Sequence, residues 1–155
     1  MARLRPLVRS DFETILHHRT AMFRDSGRPE AVIAEMAEPF RAWLAPRLAD
    51  TSYFGWMIED EAGGVAAGIG MMAIDWPPHP SHPTSDRRGY ILNLYVEPAY
   101  RRRGFARKLM EAAMDEAKAR GLEYVILHAT DQGRPLYASL GWSPTAEMAI
   151  AVPRD

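Results

Sequence analysis

Apolar residues recur along the chain at strand and helix intervals, and their order predicts most of the elements. Leu4 to Val8 reads as a short strand. It ends where Ser10-Asp11-Phe12-Glu13 has the spacing of a capping box, in which a serine hydroxyl accepts from the third helical N–H and a glutamate reaches back. The helix so opened carries Ile15, Leu16, Arg19 and Phe23 three and four positions apart and stops near Ser26-Gly27. A second helical stretch runs from about Pro29 to Leu48. Pro39 and Pro46 inside it predict a kink or two shorter helices, because proline lacks the N–H that a helix interior uses. Tyr53 to Glu59 and Val65 to Ile74 read as strands joined by the turn Glu61-Ala62-Gly63-Gly64. Trp76 to Pro83 holds four prolines and is predicted to be a loop. Tyr90 to Val96 is a buried strand. Gly104 to Arg120 is the clearest helix, with Phe105, Leu109, Ala113 and Ala117 in one stripe and Gly121 ending it. Glu123 to Ala129 reads as another buried strand, Pro135 to Leu140 as a short helix, and Glu147 to Val152 as a last strand. The order predicts an α/β fold built on a mixed sheet flanked by helices.

Composition narrows the class. A chain of 155 residues, 47% hydrophobic and 25% charged, predicts one globular domain over residues 1–155. Nineteen basic against twenty acidic side chains give a net charge of −1, which argues against a general polyanion binder. The absence of cysteine removes disulfide scaffolds, thiolate metal sites and cysteine nucleophiles. No long apolar stretch follows Met1-Ala2-Arg3-Leu4-Arg5-Pro6, and the run from Ala62 to Ile74 is far short of the ~20 residues that span a bilayer. The expectation is a soluble, cytoplasmic protein.

The most informative segment is Val96-Glu97-Pro98-Ala99-Tyr100-Arg101-Arg102-Arg103-Gly104-Phe105-Ala106-Arg107-Lys108. A helix N-terminus carries partial positive charge and prefers acidic side chains in its first turn. Here five cations surround the start and no carboxylate appears before Glu111. An anion resolves the conflict, because free backbone N–H groups converge there and Gly104 and Ala106 allow a close approach.

At this point the chain resembles a family. Arg101-x-x-Gly104-x-Ala106 fits the Gln/Arg-x-x-Gly-x-Gly/Ala motif of the GCN5-related N-acetyltransferases, and it follows a strand ending Leu94-Tyr95-Val96 as in those enzymes. Leu136-Tyr137-Ala138-Ser139-Leu140-Gly141-Trp142 resembles a second segment of the family, and the order of elements agrees over nearly the whole chain. The resemblance implies a mostly antiparallel central sheet that splays between its central strands, and acetyl-coenzyme A as cofactor. Backbone N–H groups of Arg102, Arg103, Gly104, Phe105, Ala106 and Arg107 would hold the pyrophosphate, with Arg101 opening the motif. The pantetheine arm would pair along Leu94, Tyr95 and Val96, with Thr130 and Tyr137 on the facing side. Arg102, Arg107 or Lys108 would meet the ribose phosphate. The Leu94 N–H would face the thioester carbonyl, where charge grows during attack, and Tyr137 would serve the departing sulfur.

The general base departs from the family pattern. Its two usual glutamate positions correspond to Tyr90 and Val125, neither able to serve. Glu97 and His128 are the catalytic candidates, since a carboxylate ends the central strand and imidazole suits proton transfer near neutral pH. Asp131 lies nearby, and a water chain or a neutral acceptor are further routes. Met22, Phe23, Trp43, Asp75 and Trp76 are the candidate acceptor wall, suited to a small amine with an apolar part. The implied activity is acetyl transfer to the primary amine of a small molecule, with a peptide amine as second choice and a homodimer as a common assembly among similar proteins. The alternatives are a noncatalytic coenzyme A-binding module and a nucleic-acid-binding domain using Arg87, Arg88 and the Arg101–Lys108 cluster. No partner nucleic acid, membrane or metal is expected. Gly68-Ile69-Gly70 matches a dinucleotide fingerprint in spelling only, because no helix follows it. His79 and His82 read as parts of a structural loop, and the adjacent His17 and His18 are expected to point apart.

Overall fold

The computed structural model describes residues 1–154. Among them, β1 (Arg3–Pro6), β2 (Phe54–Glu59), β3 (Val65–Asp75), β4 (Arg87–Val96) and β5 (Val125–Leu127) form one sheet in that order. β1 to β4 pair antiparallel and β4 pairs β5 parallel. Antiparallel neighbours need only turns, whereas a parallel pair needs a crossover. The helix α3 (Phe105–Ala119) supplies it.

Both faces of the sheet are covered. On one, Leu109, Met110, Ala113 and Ala117 of α3 pack on Ile58, Ala66 and Ile91. On the other, α1 (Phe12–Asp25) and α2 (Glu30–Ala49) bring Ile15, Leu16, Phe40, Leu44 and Leu48 against Tyr53 and Met57. Met57 and Ile58 are adjacent and serve opposite faces, as the two-residue strand period requires. The short helix α4 (Arg134–Ser139) follows β5 and lies on the α3 side, with Tyr137, Leu140 and Trp142 packed against that core.

Four expectations are corrected. The helix after β1 is not capped by Ser10, which lies in a 3-10 turn over Arg9–Asp11. Asp11 stands at the N-cap position of α1 without a side-chain cap bond, and its carboxylate turns back instead, accepting from the Val8 N–H at 2.8 Å and pairing with Arg5. Next, α2 is one continuous helix through Pro39 and Pro46. Both prolines are exposed, so the carbonyls they leave unpaired can turn to water. Ile33, Phe40, Leu44 and Leu48 stay buried on the other side. The strand expected over Glu123–Ala129 pairs only from Val125 to Leu127. Finally, Glu147–Val152 forms no strand. Among the described residues, no helix is long and apolar enough to cross a membrane.

Candidate active site

Two left-handed residues shape the turn before α3. Gly104 caps the helix in the left-handed region at φ 78°, and Arg102 shares that region at φ 65°. A residue in this conformation beside helical or extended neighbours turns successive N–H groups to one side. A Cβ at Gly104 would meet no atom within 4 Å, so this glycine serves backbone conformation and open access rather than packing. The first turn of α3 holds no acid.

The cations around it divide by task. Arg101 donates to the Val96 carbonyl at 3.0 Å and to Asp25 at 2.8 Å, which ties the end of α1 to the end of β4. Arg103 lies over the Tyr100 ring, and Arg107 donates to the Ser139 hydroxyl at 3.0 Å, linking α3 to α4. Among the described residues Arg102 forms no ion pair. Lys108 lines a groove of about 490 Å³ with Leu4, Trp56, Glu111 and Asp115, towards β1 and away from β5.

Beside this turn the sheet opens. β5 pairs with Gly89, Tyr90 and Ile91 only, so from Leu92 onward β4 has β3 on one side and no strand on the other. Within the open part, Gly70 pairs with Leu92 and Gly68 with Tyr95. Ile69 alone therefore opposes both Asn93 and Leu94, a bulge that re-aims the local backbone. Asn93 takes the left-handed φ of 58° that asparagine tolerates. Its buried amide donates to the Tyr53 hydroxyl and accepts from Arg19, at 2.9 and 2.8 Å. An asparagine inside an apolar strand was the available sequence signal for this bulge. The expected splay, with Leu94 at its mouth, is present.

Tyr137 stands on α4 near this opening, its ring centroid 6.4 Å from that of Trp142. A Cβ at Gly133 would come within 2.8 Å of the Tyr137 ring, so Gly133 makes room for it. Burial pushes the phenol above its ordinary range, so it holds its proton at neutral pH. Thr130 turns the chain into α4, its hydroxyl accepting from the Gly133 N–H at 3.2 Å.

Residues 12–142 match the model of the acetyltransferase (GNAT) family. The chain belongs to that family. As a GNAT acetyltransferase it is an acyltransferase. A GCN5-related N-acetyltransferase from Ralstonia eutropha JMP134 is 54% identical, with a TM-score of 0.96 over 98% of this chain and 99% of that one. A predicted acetyltransferase from Clostridium acetobutylicum, crystallised with acetyl-CoA, is 27% identical, with a TM-score of 0.87 over 98% and 96%. The glucosamine-6-phosphate N-acetyltransferase of Arabidopsis thaliana, 20% identical at a TM-score of 0.69 over 98% of each chain, shares the fold. No protein of curated function matches the chain.

Within this acetyltransferase the two base candidates differ in their surroundings. The Glu97 carboxylate takes a 2.7 Å contact from His17 Nε2, and His18 Nε2 stands 3.7 Å from the same oxygen. His17 and His18 thus converge on one carboxylate. They were expected to diverge, and they do leave α1 in different directions, but the end of β4 lies between them. His128, just past β5, has Nδ1 at 2.7 Å from the Tyr90 hydroxyl and Nε2 at 3.1 Å from Glu147. Neither partner is expected from the sequence, which offers Tyr90 only as a position lacking the family's glutamate and Glu147 as part of a strand.

The acceptor candidates do not converge. Met22 and Phe23 are half-buried on α1, and the Arg19 guanidinium lies between the Phe23 and Phe40 rings. Burial lowers the pKa of Arg19. Trp43 packs with Phe40 and Tyr53. Asp75 is opposite Arg87 at the far end of β4, five residues before Leu92 and so roughly 16 Å from the opening. Trp76 sits under Arg88, which is 4.0 Å from its ring centroid. Arg88 is buried and donates to His82 Nε2, which removes it from any nucleic-acid surface and gives His82 a structural partner.

His18 yields a stability prediction. Its ring is buried with Nε2 unpartnered, and burial, reinforced by the His17 charge, lowers its pKa to about 4. Below pH 6.5 the unfolded chain binds a proton that the folded chain refuses, so stability falls with pH down to about 4. The loss from this group is on the order of 3 kcal/mol. His18→Gln should remove that part of the pH dependence in urea unfolding between pH 7 and pH 4. Parallel profiles for both proteins would refute the assignment.

Proposed function

We propose that the chain works as a single-domain, acetyl-CoA-dependent N-acetyltransferase acting on the primary amine of a small molecule. The observation that carries this reading is the left-handed Arg102/Gly104 turn, which faces α3's N-terminus beside the opening between β4 and β5. These residues fit the cofactor: the turn suits a pyrophosphate, and the free side of Leu92–Val96 suits an arm with amide groups that pairs like a strand. When bound, acetyl-CoA supplies a thioester whose C–S bond breaks as the amine nitrogen bonds to the acetyl carbon. With no cysteine in the chain to carry the acetyl group, attack is direct while both molecules are held.

Three groups of the chain serve that step. The Leu94 N–H, turned by the bulge, donates to the carbonyl oxygen as charge develops there. Tyr137, protonated at neutral pH, donates to the leaving sulfur. His128 accepts the amine's proton through the Tyr90 hydroxyl: Tyr90 O–H donates to Nδ1, and Glu147 holds Nε2–H. We favour His128 over Glu97 because the Glu97 carboxylate is already engaged by His17. The acceptor's apolar part lies against Met22 and Phe23. Asp75 and Trp76 stand too far along the sheet to touch the reacting nitrogen and would meet only the outer end of a longer acceptor.

Thermal unfolding with acetyl-CoA tests the reading. At ~1 mM ligand and a Kd of ~10 μM, mass action adds about 2.7 kcal/mol. For a domain of this size the midpoint should rise by roughly 5–11 °C. A rise of that size would justify screening amines for thiol release. An unchanged midpoint in the folded protein would overturn the proposal.

A further inference from the structure

We infer, on the basis of the acetyltransferase reading, that the acceptor carries a carboxylate beside its amine and that the Arg19 guanidinium binds it. This guanidinium lies against two aromatic rings, 5.0 Å from the Phe23 centroid and 4.5 Å from that of Phe40. Its edges remain for hydrogen bonds. Nη1 donates to the Asn93 amide oxygen at 2.8 Å. Nε is buried with no partner, and among the described residues Nη2 has none either.

Burial works against this charge, and a charge taken out of water is normally paired. Yet among the described residues Arg19 forms no ion pair. The acids of α1 hold other arginines, Glu13 with Arg41 and Asp25 with Arg101. Arg88 is the contrast within the same chain. It also rests against two rings, Trp76 and Tyr124, but its Nε and Nη2 both reach His82 Nε2, at 3.2 and 3.0 Å. The corresponding edge of Arg19 has no such group, and a ligand carboxylate supplies both the hydrogen-bond acceptors and the missing charge.

Arg19 stands between the two ends of the proposed reaction. Asn93, which fixes its Nη1, precedes Leu94, whose N–H is assigned to the thioester carbonyl. On the other side is Tyr90, whose hydroxyl leads to His128. Burial raises the Tyr90 phenol, and the Arg19 charge acts on it in the opposite direction. An amine at Tyr90 and a carboxylate at Arg19 are therefore within the span of one small molecule, with its apolar side chain against Met22 and Phe23. The remaining arginines of α1 and α2, Arg24, Arg41 and Arg47, hold Glu30, Glu13 and the Trp43 carbonyl. One guanidinium without a second cation suits the single charge and two oxygens of a carboxylate, not a phosphate dianion. The acceptor class is an amino acid with an apolar side chain.

Thiol release from acetyl-CoA, measured with L-leucine, L-methionine and L-phenylalanine against their carboxamides, makes the test. At least one acid should show a kcat/KM at least about tenfold above that of its amide, the usual worth of a hydrogen bond to a charged group. The amide's amine is the less basic and so the more often neutral, which makes this preference run against intrinsic reactivity. Arg19→Gln should bring the acid down to the level of its amide while acetyl-CoA still raises the unfolding midpoint. Equal use of acid and amide by the native protein overturns the inference, as does preference for the amide. So does a preference for the acid that survives in Arg19→Gln, or turnover of none of these acceptors by a protein that acetyl-CoA stabilises. The first comparison uses the native protein and stands even if the variant fails to fold. A midpoint that acetyl-CoA leaves unchanged is the separate failure of the acetyltransferase reading, and the carboxylate site falls with it.

Discussion

Gly104→Glu is expected to weaken acetyl-CoA binding at least about a hundredfold while the protein stays folded, because a like charge forced against a bound anion costs several kcal/mol. The substitution places a carboxylate where the turn's N–H groups and α3's positive end would meet pyrophosphate. Stability should change little. The added Cβ meets no atom within 4 Å, and the remaining cost is the left-handed φ, about 1–2 kcal/mol. Gly104→Ala separates the two effects: it carries the same backbone strain without the charge and should keep most of the affinity. Calorimetric titration of both variants, with unfolding curves alongside, makes the comparison. Retained affinity in the glutamate variant would move the pyrophosphate away from this turn.

Tyr137→Phe is expected to lower kcat by ~10²-fold or more, the usual contribution of a positioned proton donor, while leaving cofactor affinity unchanged. The ring's packing survives the change, since Trp142 and the space left by Gly133 accommodate either side chain. Only the hydroxyl is lost. Burial keeps that hydroxyl protonated well above neutrality, so it can donate to sulfur across the physiological range. The contrast between kcat and the dissociation constant is the informative quantity. If turnover is unaffected, the thiolate leaves without help from Tyr137. If kcat and affinity fall together, the residue supports binding rather than the reaction.

The two predictions differ in how early their residues could be read. The Gly104 turn was visible in the sequence because its signal is local: cations at a helix start, a glycine at the cap and an acid-free first turn all lie within a few residues. Tyr137 was found only through its resemblance to a family segment, since an isolated tyrosine on a short helix carries no chemical signal. The proposed relay at His128 was half legible. Its partners lie 38 residues earlier, at Tyr90, and 19 residues later, at Glu147, and no local pattern links them. The parallel pairing of β4 with β5 sets Tyr90 beside Ile126 and so brings its hydroxyl within reach of the imidazole.

Local propensity also lost to packing in identifiable places. Pro39 and Pro46 argued for a broken helix, but each costs only local hydrogen bonds, while Phe40, Leu44 and Leu48 together bury a continuous apolar face. His17 and His18 diverge by helical geometry and still share Glu97, because a strand end from 80 residues away lies between them.

By itself, the sequence determined most of the order of elements and the glycine turn with its acid-free helix start, because periodicity and end effects act over a few residues. Tertiary structure alone decided where the sheet opens, how Asn93 bulges β4, which groups meet His128 and that residues 147–152 form no strand. These outcomes depend on contacts between segments far apart in sequence, and a register change of a single residue would alter each of them.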